Sequence, residues 1–268
     1  MVKMPHEKNH NSPRLYIEAD LGPGQIIEPC AEHAHYLLNV MRLKTGDQVR
    51  LFNGRDGEWH GGIAMKASKN AKPGKAGKQH VSIEIYRSLR PQNVEPDVWL
   101  CCAPIKKAHF DYMIEKATEL GAGAIKPILT ARTQVREANV ERLRTIAIEA
   151  AEQSERLGIP AIDEPLALAK QIASWPHDRR MIVCAEHGDA MPVHAAFLQP
   201  EMATATKVAI VTGPEGGFSV EELDMLRKVP QALFVRLGPR ILRADTAAIA
   251  TLSIWQSMCG DWKLAVRG

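Results

Sequence analysis

Short apolar runs alternate with polar positions over the first ninety residues. Arg14-Leu-Tyr-Ile17 and Gln25-Ile-Ile27 have the length and composition of short strands. From His33 to Arg42, Tyr36, Leu37, Val40 and Met41 recur at helical spacing, which predicts one helix. Gln48–Phe52 and the stretch from Glu58-Trp-His60 onward flank Asn53-Gly54-Arg55-Asp56-Gly57, whose residues tight turns between strands demand. Val81–Tyr86 alternates as a further strand. The pattern is that of a small β-rich domain with one helix, ending in the proline-containing polar stretch 90–96.

Beyond residue 97 the rhythm changes to apolar runs separated by helical patterns. Val98–Ala103, Ala124–Leu129, Met181–Ala185, Val208–Val211 and Ala232–Leu237 read as buried strands. Helical stretches lie through Phe110, Ile114, Ala117 and Leu120, and over Val140–Leu157 and Ala244–Met258. Strands alternating with helices imply an α/β domain with a parallel sheet covered on both faces. The division predicts domains at 1–92 and 93–268.

Composition narrows the class. The 268 residues are 45% hydrophobic and 24% charged, an ordinary globular mix, and no window approaches a membrane span. The polar start, Met1–Lys8, lacks the apolar core of a secretion signal, so a cytoplasmic location is expected. The five cysteines, at 30, 101, 102, 184 and 259, form no CxxC pair, which supports neither zinc nor a disulfide framework, and no metal is expected. Net charge is +3, but residues 1–90 carry 14 Lys and Arg against 9 Asp and Glu, and the remainder 20 against 22. The N-terminal part is therefore the one that would meet a polyanion. Within it five lysines recur every third residue over 66–78, a segment that is either a phosphate-contacting arm or a solvated loop.

In a parallel α/β sheet, ligands bind in loops beyond the carboxyl ends of the strands. Three loops qualify: 185–188, containing Ala185 and Gly188; Gly213-Pro-Glu-Gly-Gly-Phe-Ser219; and Leu237-Gly-Pro-Arg-Ile-Leu-Arg243. The second has three glycines in five residues, and Ser219 with Glu222 fits a capping box for the helix that follows. It lacks the spacing of either common phosphate loop, and Glu215 would repel phosphate. The third places Ile241 and Leu242 between Arg240 and Arg243. Backbone polar groups with apolar walls suit an adenine ring better than a phosphate.

These two loops, with Ala244-Asp-Thr-Ala247 after them, resemble the RsmE family of 16S ribosomal RNA uridine-N3 methyltransferases, of the SPOUT class. The likeness extends to Arg14–Ile17, His33–Leu43, Lys106, Lys116–Gly121, Ile125–Pro127, Glu149–Arg156 and Ile159-Pro160. Two departures stand out: Asp245 occupies a position usually held by Glu, and the lysine segment looks like an insertion. The resemblance implies a PUA-like first domain, a second domain with a trefoil knot, S-adenosylmethionine as cofactor, 16S rRNA of the small ribosomal subunit as partner, and a homodimer. It implies cofactor contacts from Ala185, Gly188, Gly213, Pro214, Gly216, Gly217, Leu237, Gly238, Ile241, Leu242 and Ala247.

The implied reaction needs a deprotonated N3, which puts negative charge on the uracil oxygens, and an arginine fork would stabilise it. Arg243 is the first candidate, although Arg243 or Arg240 could instead clamp Asp245 or an inter-subunit carboxylate. The base is left open between Glu215, if burial raises its pKa, Asp245 and solvent. His187 reads as polar surface. Arg14, Lys106, Arg132 and Arg156 are candidate phosphate contacts. The alternatives are a related methyltransferase of another RNA, or a non-catalytic RNA-binding ribosome assembly factor. A Rossmann-type enzyme lacks its fingerprint here.

Overall fold

The computed structural model describes residues 12–66, 80–185 and 188–263. It divides into two compact units, residues 1–93 and 94–268. The lysine segment beyond Lys66, and His187, lie outside the described residues.

The first unit comprises β1 (Arg14–Tyr16), β2 (Ile26–Ile27), α1 (Ala31–His35), β3 (Gln48–Phe52), β4 (Glu58–Lys66) and β5 (His80–Arg90). Its five strands form one sheet in the order β1-β3-β4-β5-β2. β1 runs parallel to β3 and the other pairs are antiparallel. Strand alternation sends Val49, Leu51, Ile63, Ile83 and Ile85 to one face, where Leu37 completes the core. The β3–β4 turn ends at Gly57 with φ 80°, and a Cβ there would lie 2.2 Å from the Arg90 carbonyl oxygen. Only glycine fits that close approach.

The predicted helix is interrupted. α1 gives way to a π-helical turn over Tyr36–Val40, with Met41 N donating to Tyr36 O at 2.9 Å. The chain leaves it through Arg42 at φ 55°. Helical spacing would place Leu37, Val40 and Met41 on one face, but the wider turn breaks that phase. Leu37 is fully buried, whereas Val40 is 59% and Met41 39% exposed.

The second unit runs β6 (Asp97–Cys102), α2 (Lys107–Glu119), β7 (Ala124–Leu129), α3 (Val140–Ser154), β8 (Ala161–Ile162), β9 (Leu166–Ala167) and α4 (Leu168–Ala173). It continues through β10 (Arg180–Cys184), β11 (Met191–Pro192), α5 (Val193–Phe197), α6 (Pro200–Ala203), β12 (Lys207–Thr212), α7 (Val220–Arg227), β13 (Ala232–Arg236) and α8 (Ala244–Met258). The sheet has the order β11-β13-β10-β12-β6-β7-β8, with β9 also on β7, and its pairs are all parallel. Alternate residues feed two cores. Val98, Leu100, Cys102 and Ile210 pack with α2, α3, α5 and α8, while Cys101, Val183, Ala209 and Val211 pack with α4 and α7. The sheet is thus covered on both faces, which is why its strands read as continuous apolar runs. Among the described residues no helix is long and apolar enough to cross a membrane, and no group of three His, Cys, Asp or Glu could hold a metal ion.

Candidate active site

β12, β10 and β13 are neighbours in the sheet, so the loops leaving their carboxyl ends meet. They enclose a cavity of about 690 Å³, within the range of small-molecule sites. Ala185, Gly213, Pro214, Glu215, Gly216, Gly217, Leu237, Gly238, Ile241, Leu242, Arg243 and Ala247 all stand in its wall. Gly188 does not. It lies instead beside the Arg227 guanidinium, where an added Cβ would come within 3.3 Å of Nη2.

The glycine loop is held from both sides. Ser219 caps α7 by accepting from Glu222 N at 3.2 Å, and Glu222 Oε2 accepts from Ser219 N at 2.8 Å, completing the capping box. The other oxygen of Glu222 accepts from Ala131 N at 2.7 Å, tying the loop after β7 to the same point. That loop is stiffened by Thr133, whose hydroxyl accepts from Thr130 N and bonds Thr130 Oγ1, both at 2.9 Å. Arg132 then reaches across and donates from Nη1 to Gly216 O at 2.7 Å. Gly216 lets the arginine stem lie close, since an added Cβ would stand 3.4 Å from Arg132 Cβ and Cδ.

Polar and apolar groups divide the cavity. Phe218, Leu223, Val235, Leu237, Ile241 and Leu242 give apolar walls, and Ile241 is 73% exposed at the mouth. Thr212, at the end of β12, is 1% exposed, and its Oγ1 has no partner among the described residues. An unbonded buried hydroxyl costs about 1–3 kcal/mol. Cys184 donates to or accepts from Thr251 Oγ1 at 3.3 Å, and burial pushes its thiol up to about 11. It is a neutral wall, not a nucleophile, at neutral pH.

Arg132, Arg236, Arg240 and Arg243 also line the cavity, and all four are exposed. The negative net charge of residues 91–268 therefore conceals a positive cluster where the loops converge. Arg240 and Arg243 have no hydrogen-bond or ion-pair partner among the described residues. The clamp between either of them and Asp245 is not formed. Asp245 is instead bonded by His109 Nδ1 at 2.9 Å and by Thr246 N at 2.7 Å. Burial would raise the Asp245 pKa, but these bonds outweigh it and hold the carboxyl below its usual value. Asp245 thus fixes the start of α8, and a depressed, bonded carboxylate is a poor proton acceptor. Glu215 is exposed in the cavity wall.

Two candidate phosphate contacts are corrected. Arg14 is buried, with Nε 2.6 Å from Glu58 Oε1 and its guanidinium 3.6 Å from the Phe52 ring centre. Burial draws its pKa down to about 10 despite Glu58. Arg156 is buried against Glu95 at 2.6 Å and donates to Thr118 O at 2.9 Å. Both arginines are buried and engaged with carboxylates of the fold. Lys106 is exposed at the start of α2. His109, Thr212 and the second bond of Glu222 were missed from sequence. Their partners lie up to 136 residues away, and only the Ser219–Glu222 spacing gave a local signal.

Comparison with known proteins places the chain in a family. Residues 92–256 match the family model described as an RNA methyltransferase domain, and residues 31–71 the RNA methyltransferase PUA domain. A Rickettsia conorii protein named ribosomal RNA small subunit methyltransferase E is 33% identical over 90% of this chain and 93% of its own length. A Legionella pneumophila protein solved with bound SAM shares 30% identity, with TM-score 0.77 over 92% of this chain and 97% of that one. The Neisseria gonorrhoeae ribosomal RNA small subunit methyltransferase E, solved with S-adenosyl methionine, has TM-score 0.80 at 24% identity over 94% and 99%, a likeness of fold. With its RNA methyltransferase domain, PUA domain and this identity along nearly its whole length, the chain belongs to the ribosomal RNA small subunit methyltransferase E family.

Proposed function

We propose that this protein is an S-adenosylmethionine-dependent methyltransferase that modifies N3 of a uridine in 16S rRNA of the small ribosomal subunit. The observation that carries the reading is the three-loop cavity, with apolar walls, a buried unbonded Thr212 hydroxyl and arginines at its edge. These residues fit the cofactor. Leu237, Ile241, Leu242 and Ala247 would hold the adenine, with Gly213, Pro214, Gly216, Gly217, Gly238 and Ala185 giving close backbone approach. When bound, S-adenosylmethionine supplies a methyl group on a good leaving group.

The chain's own task is then to align the uracil and to stabilise its N3 anion. Alignment can replace roughly 7–11 kcal/mol of barrier. Arg243, at the N-cap of α8 and without a side-chain partner among the described residues, directs its fork to the uracil oxygens that gain charge. The surrounding arginines lower the cost of that anion. Glu215, exposed in the wall, then relays the N3 proton to solvent. Of the candidate phosphate contacts in the second unit, Lys106 and Arg132 are exposed and meet the RNA backbone. The reading includes a trefoil knot, a homodimer with the site near the subunit interface, a PUA-like domain over 1–92 that grips RNA, and a cytoplasmic location.

The test is incubation of small subunits from cells lacking this protein with tritium-labelled cofactor, followed by nuclease digestion and mass spectrometry. N3-methyluridine in 16S rRNA is expected. No transfer, or a methyl group on another atom or RNA, overturns the reading.

A further inference from the structure

Val40 and Met41 are exposed for a specific reason: the π-helical turn at Tyr36–Val40 rotates them away from the core that Leu37 enters. The turn closes through Arg42 in the left-handed region, at φ 55°. A non-glycine residue there costs on the order of 1–3 kcal/mol, and such segments cluster at functional sites. The result is a projecting apolar pair followed by Arg42 and Lys44, both exposed. Neither cationic side chain has a partner among the described residues. Of the nearby acids, Asp47 accepts from Lys44 N at 2.7 Å and Glu32 lies back on α1, and neither forms an ion pair with them among the described residues. His35 and Asn39 are also exposed there.

We propose that Val40 and Met41 form an apolar wedge that enters an RNA strand between adjacent bases, while Arg42 and Lys44 hold the flanking phosphates. The proposal rests on the reading of the chain as a uridine-N3 methyltransferase. N3 lies on the pairing edge of the base, so the target must be freed from pairing or stacking before it reacts. Apolar side chains inserted between base steps do this in nucleic-acid-bending proteins, at a cost offset by added contacts. The charge of the patch favours a polyanion over an apolar partner. Two side chains bury too little surface for a stable contact between copies of the chain.

The experiment uses the full chain and a mixed-sequence oligoribonucleotide with 2-aminopurine beside a uridine, whose fluorescence rises when the base unstacks. Wild type should raise the signal on binding. Val40→Ser with Met41→Ser should lose that rise and bind about tenfold more weakly, with no change in melting temperature because both side chains are exposed. Arg42→Gly keeps the backbone conformation but removes the cation. It should retain the rise at saturation and reduce the salt slope of log K by about 1. The wedge is overturned if wild type gives no rise or if the double variant keeps it. It is also overturned if the double variant changes the sedimentation coefficient, since the patch would then join copies of the chain. Wild type that unstacks the probe but transfers no methyl group to small subunits would refute the functional reading and leave the wedge standing.

Discussion

Replacing Thr212 by Val tests the cavity where its chemistry is most exposed to disproof. Thr212 lines the cavity and is 1% exposed, its hydroxyl is buried, and no described group bonds it. The free protein therefore bears about 1–3 kcal/mol for burying it, and on the proposed reading a small shift of the wall lets a bound cofactor make the missing bond. Valine has nearly the same volume and no polar atom. Taking the lower end of the range, the free variant should gain about 1 kcal/mol, which raises the melting temperature by about 2–4 °C for a domain of this size. The same substitution should weaken S-adenosylmethionine binding about fivefold, the equivalent of about 1 kcal/mol. Calorimetric unfolding with and without cofactor, together with titration calorimetry, reads both effects. Opposite signs are required. A free variant that melts lower than wild type, or one that binds cofactor as tightly, would show that the hydroxyl is satisfied without the ligand and refute the reasoning.

Three further outcomes follow from the geometry. Arg132→Ala removes the bond to Gly216 O and should weaken cofactor binding by about tenfold, with little change in stability because the side chain is exposed. Unchanged affinity in the same titration would mean the loop holds its shape alone. Arg156→Ala leaves Glu95 without its buried partner and should cost about 3–5 kcal/mol in urea denaturation, while leaving RNA affinity unchanged; loss of RNA affinity at intact stability would restore it as a phosphate contact. Asp245 has a lowered pKa, so it contributes stability above its ordinary titration range and loses it as pH falls through the folded value. Asp245→Asn should accordingly lose stability near neutral pH and show a shallower decline below about pH 4 in urea melts. A parallel decline in the two proteins would remove the carboxylate from the account.

What the sequence could show followed from interactions close along the chain. The strands at Val98–Ala103 and Val208–Val211 were legible because burial on both faces makes them continuously apolar. The Ser219–Glu222 cap was legible because both partners lie within one helical turn. The loops of the cavity were legible because a parallel sheet places its binding loops at the carboxyl ends of its strands. The exposure of Val40 and Met41 was not, since the same apolar spacing serves an α-helix or a π turn until the Leu37 core selects the winding.

Charge was the least legible property. A count of residues 91–268 hides four arginines gathered at one cavity, and it cannot distinguish Arg243, unpartnered, from Arg156, buried on Glu95. Hydrophobic periodicity and turn residues act over a few positions, so the sequence by itself determined the main strands and helices, their order and the loops that line the cavity. Electrostatic pairing and desolvation depend on distance in space. Only the tertiary structure could therefore decide that Asp245 belongs to His109, that Arg14 and Arg156 hold the fold together, and that the Thr212 hydroxyl has been left waiting in the cavity wall.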